Sequence, residues 1–287
     1  MLDGSVTVVV YGVLFSASIS LAAIQARQAS TTPRQIMNAP ELEKFINDYL
    51  KTSEFRDYCP NGIQVEGRTE VRKIVTGVSA TQKLIDYAVS VNADAVLVHH
   101  GIFWKGDPQA LRSFRKKRVE TLIKNDINLF AYHLPLDAHP EIGNNVLLAE
   151  NLGITIDGAC DSGEKHPMVL KGHFSAPLSL ADLIARVDHN LAHKSFAIGG
   201  GGDIIENVAW CTGSAYDFIE LAAQNGADVF ISGEIAERTV HTAEELGIDY
   251  IAAGHHCTEV FGIKKLGELL AGRFGLEVDF VNFPNNI

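Results

Sequence analysis

The chain repeats itself. Residues 74–99, IVTGVSATQKLIDYAVSVNADAVLVH, run without a gap beside residues 208–233, VAWCTGSAYDFIELAAQNGADVFISG, at an offset of 134. Ile85 falls on Ile219, Ala88 on Ala222, and Ala93-Asp94 on Ala227-Asp228. Each copy reads as a short apolar strand, a glycine-containing turn (Thr76-Gly77; Thr212-Gly213-Ser214), an amphipathic helix and a second apolar strand. A further helix and strand follow in both, over 114–124 and 127–132 in the first and over 238–246 and 248–253 in the second. Strands alternating with helices fold as parallel β-α-β units with right-handed crossovers. The expected class is therefore α/β, with duplicated, mostly parallel halves forming one main domain from residues 37–157 and 204–287.

Between the halves, at 158–203, the pattern changes. A strand over 169–174, a helix over 179–190 capped by Ser179, and four glycines at 199–202 suggest a smaller α/β domain inserted into the larger one. The glycine run lacks the Gly-Lys-Ser/Thr of a P-loop and no clear helix follows it, so a plain turn is expected there rather than a phosphate cradle. The glycine turns at Thr76 and Thr212 are better anion sites if they feed helix N-termini, or else they simply make tight strand-to-helix corners.

Residues 5–24 are uncharged and apolar over the ~20 positions that a membrane span requires. The flank Met-Leu-Asp-Gly, however, has none of the Lys or Arg of a signal peptide or a positive-inside anchor. Met37 opens a stretch that looks like a domain start, with Pro40 in a first helical turn and Leu42, Phe45, Ile46, Tyr49 and Leu50 at helical spacing. Residues 1–36 are accordingly expected to be an extension outside the functional domain, and the protein to be cytoplasmic and not membrane-bound. Cys59, Cys160, Cys211 and Cys257 form no Cys-x-x-Cys pair, which fits reduced thiols. The 35 acidic against 24 basic residues, a net charge of −11, oppose non-specific attraction to nucleic acid or anionic membranes. The one basic run, Arg112, Arg115, Lys116, Lys117 and Arg118, is either a solvated helix face or a patch that attracts nucleotide phosphates.

In open parallel sheets, ligands gather beyond the carboxyl ends of the strands. Here those ends are unusually polar. His99 and His100 follow one expected strand; His133, Asp137 and His139 follow the next; Glu234 follows a third; His255, His256 and Glu259 follow a fourth. Six of the 11 histidines and three carboxylates thus fall on one rim, which predicts a metal site. Imidazole with carboxylate suits Zn, Mn, Fe, Co or Ni, whereas Mg or Ca would want oxygen alone. His255 and Glu259, four apart, share a face if a helix starts there. Adjacent His99 and His100 diverge, so either each serves a different ion or one supports the other's. Five strong ligands exceed the three usual for one open catalytic zinc, which favours two divalent ions per subunit with a carboxylate bridge. His133, His139 and Glu234 remain as candidates for moving protons or orienting ligands.

The stretches DYCPNGIQVEG at 57–67, VLVHHGIFWKG at 96–106, HLPLDAHPEIGNN at 133–145, SGE at 232–234 and AAGHHCTE at 252–259 resemble the dinuclear-metal family of GTP cyclohydrolase 1 type 2 homologues. The resemblance runs from about residue 37 to 287. It implies His99, His100, Asp137, His255 and Glu259 as metal ligands, Glu259 as the bridge, and His256 as a non-ligand. It also implies a toroidal homohexamer with the metal pairs facing an internal cavity. The expected activity is metal-dependent hydrolysis of a nucleotide-like small molecule, such as GTP ring opening. A non-catalytic metal-binding, metal-delivery or scaffold protein, and a ring-shaped nucleic-acid-processing factor, are the alternatives.

Overall fold

The computed structural model describes residues 36–287, so the extension expected at 1–36 lies outside the described residues except for Ile36. In chain order the first part comprises β1 (Met37–Asn38), α1 (Ala39–Leu50), β2 (Gly62–Val65), β3 (Glu70–Val71), β4 (Lys73–Ser79), α2 (Gln82–Ser90), β5 (Ala95–His100), α3 (Ser113–Lys124), β6 (Asn128–Ala131), α4 (Leu134–Asp137) and α5 (Asn144–Leu152). The second comprises β7 (Ile154–Ala159), β8 (Leu170–Leu178), α6 (Leu180–Leu191), β9 (Phe196–Ile198), β10 (Ile205–Cys211), α7 (Ile219–Gln224), β11 (Val229–Ser232), α8 (Glu237–Leu246), β12 (Asp249–Ala252), α9 (His255–Thr258), α10 (Val260–Phe274) and β13 (Glu277–Phe280).

Five strands form a sheet in the order β13-β4-β5-β6-β2, six form another in the order β7-β8-β10-β11-β12-β9, and β1 pairs with β3. The strands β4, β5 and β6 are parallel neighbours, and so are β10, β11 and β12. The sequence offset of 134 also separates their registers, for Ile74 faces Ala95 as Val208 faces Val229. Parallel strands covered by helices on both faces are buried on both sides, which explains runs such as Ala95-Val96-Leu97-Val98-His99 without polar alternation. Ile74, Leu97 and Phe130 pack one face of the first sheet against Leu42 and Ile46 of α1 and Leu266 and Leu270 of α10. Val75, Val96, Val98 and Leu129 pack the other against Leu84 and Ile85 of α2 and Leu122 of α3.

Residues 158–203, set apart by their pattern, hydrogen-bond into the second sheet on both sides. Strand β8 pairs antiparallel with β10, and β9 pairs antiparallel with β12. The glycines behave as a turn, with Gly200 and Gly201 donating their amides to the Asp249 carboxylate at 3.0 and 2.8 Å. The helix expected after Ser179 begins at Leu180, with the Ser179 hydroxyl accepting from the Asp182 amide. One expectation is corrected. Thr76-Gly77 is not a turn, because β4 continues through it to Ser79 and Gly77 pairs with Val98. Glycine is needed there for close approach, since a Cβ would collide with the Leu84 side chain and crowd the Val281 carbonyl. The following helix is capped by Thr81 instead, whose side chain accepts from the Leu84 amide.

Two connections tie the sheets together. The chain leaves β6 through α4 and α5 to reach β7, and returns from β12 through α9 and α10 to β13, beside β4. Both connections start at the carboxyl end of a strand, and between them they carry Asp137, His255 and Glu259. No described helix is long and apolar enough to cross a membrane.

Candidate metal centre

His99 and His100 end β5, Asp137 closes the short helix after β6, and His255 and Glu259 flank the short helix after β12. Strand ends of both sheets therefore deliver their polar residues to one place. His99 Nε2 lies 3.5 Å from Asp137 Oδ1 and 3.6 Å from Glu259 Oε1. Glu259 Oε2 lies 3.0 Å from His100 Nε2 and 3.0 Å from His255 Nε2. Among the described residues, ligand-capable atoms converge within 4.8 Å in three trios: His99, Asp137 and Glu259; His100, His255 and Glu259; and His99, His100 and His133. Glu259 belongs to the first two.

The histidines are held from behind in a way that leaves the inward nitrogen free. The Tyr132 carbonyl accepts from His99 Nδ1 at 2.9 Å, Ser79 Oγ lies 3.1 Å from His100 Nδ1, and Glu234 Oε1 accepts from His255 Nδ1 at 2.5 Å. These contacts fix the ring orientations, and the acceptors behind His99 and His255 also set the tautomer, the arrangement usual behind metal-bound imidazole. Among the described residues, His99 Nε2 and Glu259 Oε2 are buried without a hydrogen-bond partner, although such groups cost free energy when left unpaired. Imidazole nitrogens and carboxylate oxygens that converge in a largely buried pocket are the donor set of a divalent ion, which would take the place of the imidazole protons, so the residues present fit such an ion. Space is kept for it by Gly213, at φ +69°, where any Cβ would collide with the Glu259 carboxylate and crowd the His255 ring. Asp137 Oδ1 is steadied by the Asn144 side-chain amide at 2.7 Å and by the Thr212 hydroxyl at 3.4 Å.

The electrostatics without an ion point the same way. Burial disfavours charge on His99, but the carboxylates of Asp137 and Glu259 override it and raise its pKa to about 9. His255 is likewise raised to about 9, against its burial, by Glu259 and Glu234. Burial wins at His100, which is lowered to about 4. Glu259, despite burial that would raise it, is held well below the usual carboxylate range by His100 and His99.

The proton-handling candidates separate. Glu234 stands behind His255 and also accepts from Ser214 Oγ at 3.1 Å. His133 joins the cluster, its ring centroid 5.1 Å from that of His99 and 5.8 Å from that of His100. His139 does not: its ring stacks on Tyr49 at 4.7 Å, and its Nδ1 accepts from the amides of Glu141 and Ile142. His256 belongs to none of the converging trios. Asp57 opens the DYCPNG stretch that carries part of the family resemblance, yet nothing in the sequence assigns it a role at the site. Its carboxylate accepts from His133 Nδ1 at 2.7 Å, from the Asn61 side-chain amide at 2.9 Å and from the Leu134 amide at 2.9 Å. Burial would raise its pKa, yet the bond to His133 keeps it lowered. Asn61 Oδ1 in turn accepts from the His133 amide at 2.8 Å. Trp104 forms the aromatic wall, 5.0 Å from His133 and 5.8 Å from His100 by ring centroid. In the basic run Arg115 is paired with Asp107 at 2.6 Å, and α3 buries only Val119 and Leu122.

A family model described as Duf34/NIF3 (NGG1p interacting factor 3) matches residues 37–286. A Vibrio cholerae protein named GTP cyclohydrolase 1 type 2 homolog is 49% identical over 253 residues, which is 88% of this chain and 100% of the relative. The solved protein ybgI, described as of unknown function, superposes with a TM-score of 0.85 at 46% identity over 88% of this chain and 100% of its own. TTHA1606 from Thermus thermophilus does so with a TM-score of 0.77 at 36% identity, again over 88% and 100%.

Proposed function

Because this chain belongs to the Duf34/NIF3 family, we propose that it holds two divalent ions of the Zn, Mn, Fe, Co or Ni class and hydrolyses a nucleotide-like small molecule. His99, Asp137 and Glu259 would hold one ion, and His100, His255 and Glu259 the other. The observation that carries this reading is Glu259: its two oxygens face different histidine sets, and Oε2 is buried without a hydrogen bond. When bound, such a pair supplies Lewis acidity and brings the pKa of a water toward neutrality.

The chain's own residues complete the chemistry. His133, oriented by Asp57, presents its other nitrogen to the cluster and is placed to hand a proton to a leaving nitrogen or oxygen. Glu234 keeps the His255 ring aimed, and Trp104 offers a face for a purine base. Replacing Asp57 with Asn is expected to leave metal content unchanged while lowering turnover on the order of 10²-fold, read from metal analysis alongside kinetics.

GTP ring opening by water attack at purine C8 is the first reaction to test, in line with the name carried by the relatives. A single-turnover assay with metallated protein should consume GTP or another nucleotide, and His99→Ala should not. Equal and negligible loss in both proteins would exclude hydrolysis of those substrates. One observation favours a second reading, metal holding or delivery: His99, Asp137 and Glu259 have side chains no more than 5% exposed, whereas His100 and His255 are 17% and 25% exposed. Slow exchange at both positions would support that reading. The net charge of −11 and the Arg115 ion pair weigh against nucleic-acid processing. The proposal includes a cytoplasmic location and a ring-shaped homohexamer, for which light scattering should give about six times the chain mass of 31.2 kDa.

A further inference from the structure

After β13 the chain does not leave the site. Val281 donates to the Thr76 carbonyl at 2.9 Å, the last step of the sheet register, and residues 282–287 then run without regular structure. Both ends of this segment are attached to one residue. His256 Nε2 donates to Asn282 Oδ1 at 2.7 Å, and the His256 amide donates to the Ile287 carbonyl at 3.0 Å. Here the second histidine of the doublet, 6% exposed and outside the ligand trios, finds its partners.

The segment lies over the more open side of the metal cluster. Asn285 and Ile287 line a cavity of about 210 Å³ together with Ser79, His100, Glu234 and His255. On one flank Phe283 and Asn285 border a cavity of about 50 Å³ beside Gly77 and Ser79. On the other, Asn286 and Ile287 border one of about 230 Å³ beside Gly233 and Glu234. The segment thus borders three neighbouring cavities along the rim. Sites for small-molecule ligands of ordinary size occupy roughly 300–1,000 Å³. The space beside His100 and His255 falls below that range while the segment is in place. Its own packing is light, since residues 282–287 are exposed and Ile287 is 64% exposed, so lifting it uncovers little apolar surface.

We propose that residues 282–287 are a strap that must lift before a nucleotide-sized molecule reaches the metals, and that His256 is the positioning residue that pins it. The inference rests on the two-ion reading given above and deepens it, because it fixes which molecules reach the centre. With the strap down, the space beside His100 and His255 is about 210 Å³, smaller than an ordinary small-molecule site. With it up, the three cavities join.

The test uses the full chain loaded with Zn²⁺ and follows ion removal by excess 1,10-phenanthroline, comparing wild type with His256→Ala and Asn282→Ala. Metal content before chelation should be the same in all three. Each variant loses the same side-chain bond, the bond from the His256 amide to Ile287 being kept, and removal should be faster in both by about five- to tenfold. Asn282 is exposed, so its variant remains informative even if His256→Ala fails to fold. Unchanged removal rates at full metal content overturn the strap. So does loss of an ion in His256→Ala, which would make His256 a ligand. A wild type that takes up no Zn²⁺ overturns the two-ion reading itself, and is distinguished from failure of the strap by the metal content measured before chelation.

Discussion

In the two-ion arrangement proposed above, Glu259→Gln is expected to strip the protein of both ions at once. The substitution keeps the volume of the side chain in a pocket where Glu259 is 3% exposed, so any loss reports on charge and donor type rather than on a cavity. A glutamine offers one neutral oxygen and an NH₂ that only donates. It can therefore serve at most one of the two nitrogen sets that now face Oε1 and Oε2. It also removes a negative charge that would offset the two proposed dications. Loss of a partner that merely orients a ligand costs about 10–100-fold in metal affinity. Loss of a shared ligand should exceed that at each position. Metal analysis after dialysis should find the variant nearly empty, whereas His100→Ala should retain the ion of the His99, Asp137 and Glu259 trio. A Glu259→Gln protein that keeps both ions would rule out a bridging role for this carboxylate.

The contrast between the converging residues and those that support them also marks what the sequence could reveal. That polar residues from several strand ends would meet was legible because strand ends in α/β sheets are few and local periodicity locates them, while the choice of His99, His100, Asp137, His255 and Glu259 among them came from the family resemblance. The partners that orient them were not legible. Asp57 reaches His133 across 76 positions of sequence, and nothing in a turn-rich loop says which ring will lie above it. His139 stands apart from the cluster for the complementary reason. It follows the same strand as Asp137, but the chain bends after α4, and the amides of Glu141 and Ile142 capture its ring nitrogen while Tyr49 stacks on its face. Gly77 misled because glycine marks turns more often than close contacts inside strands. Its reason lies in Leu84 and Val281, the second of which is far away in sequence. The placement of 158–203 was opaque in the same sense, since antiparallel pairing of β8 and β9 onto the second sheet is a long-range choice.

Acidity should drive the metal-free and metal-loaded proteins in opposite directions. In the metal-free protein His99 and His255 are raised from 6.5 to about 9, so the folded state binds protons that the unfolded chain has released. Their stabilisation is complete below pH 6.5 and is lost as pH rises through 9, each contributing a slope of about −1.4 kcal/mol per pH unit within that window. His100 acts with the opposite sign. Lowered to about 4, it stays neutral in the fold while the unfolded chain takes up a proton, so stability also falls as pH drops from 6.5 toward 4. Glu259, held well below its usual range, adds to the acid loss. The metal-free protein should therefore be most stable near pH 6.5 with respect to this cluster. Metal ligation requires neutral imidazole, so binding releases the protons of His99 and His255 and tightens as pH climbs toward 9. Calorimetric titration with Zn²⁺ at about pH 7.5, repeated in buffers of different ionisation enthalpy, should give roughly two protons released per chain on filling both positions. Thermal melts between the two histidine values, 6.5 and about 9, should fall for the metal-free protein and hold or rise for the loaded one. Parallel melting curves, or uptake without proton release, would show that His99 and His255 do not carry their protons in the empty site.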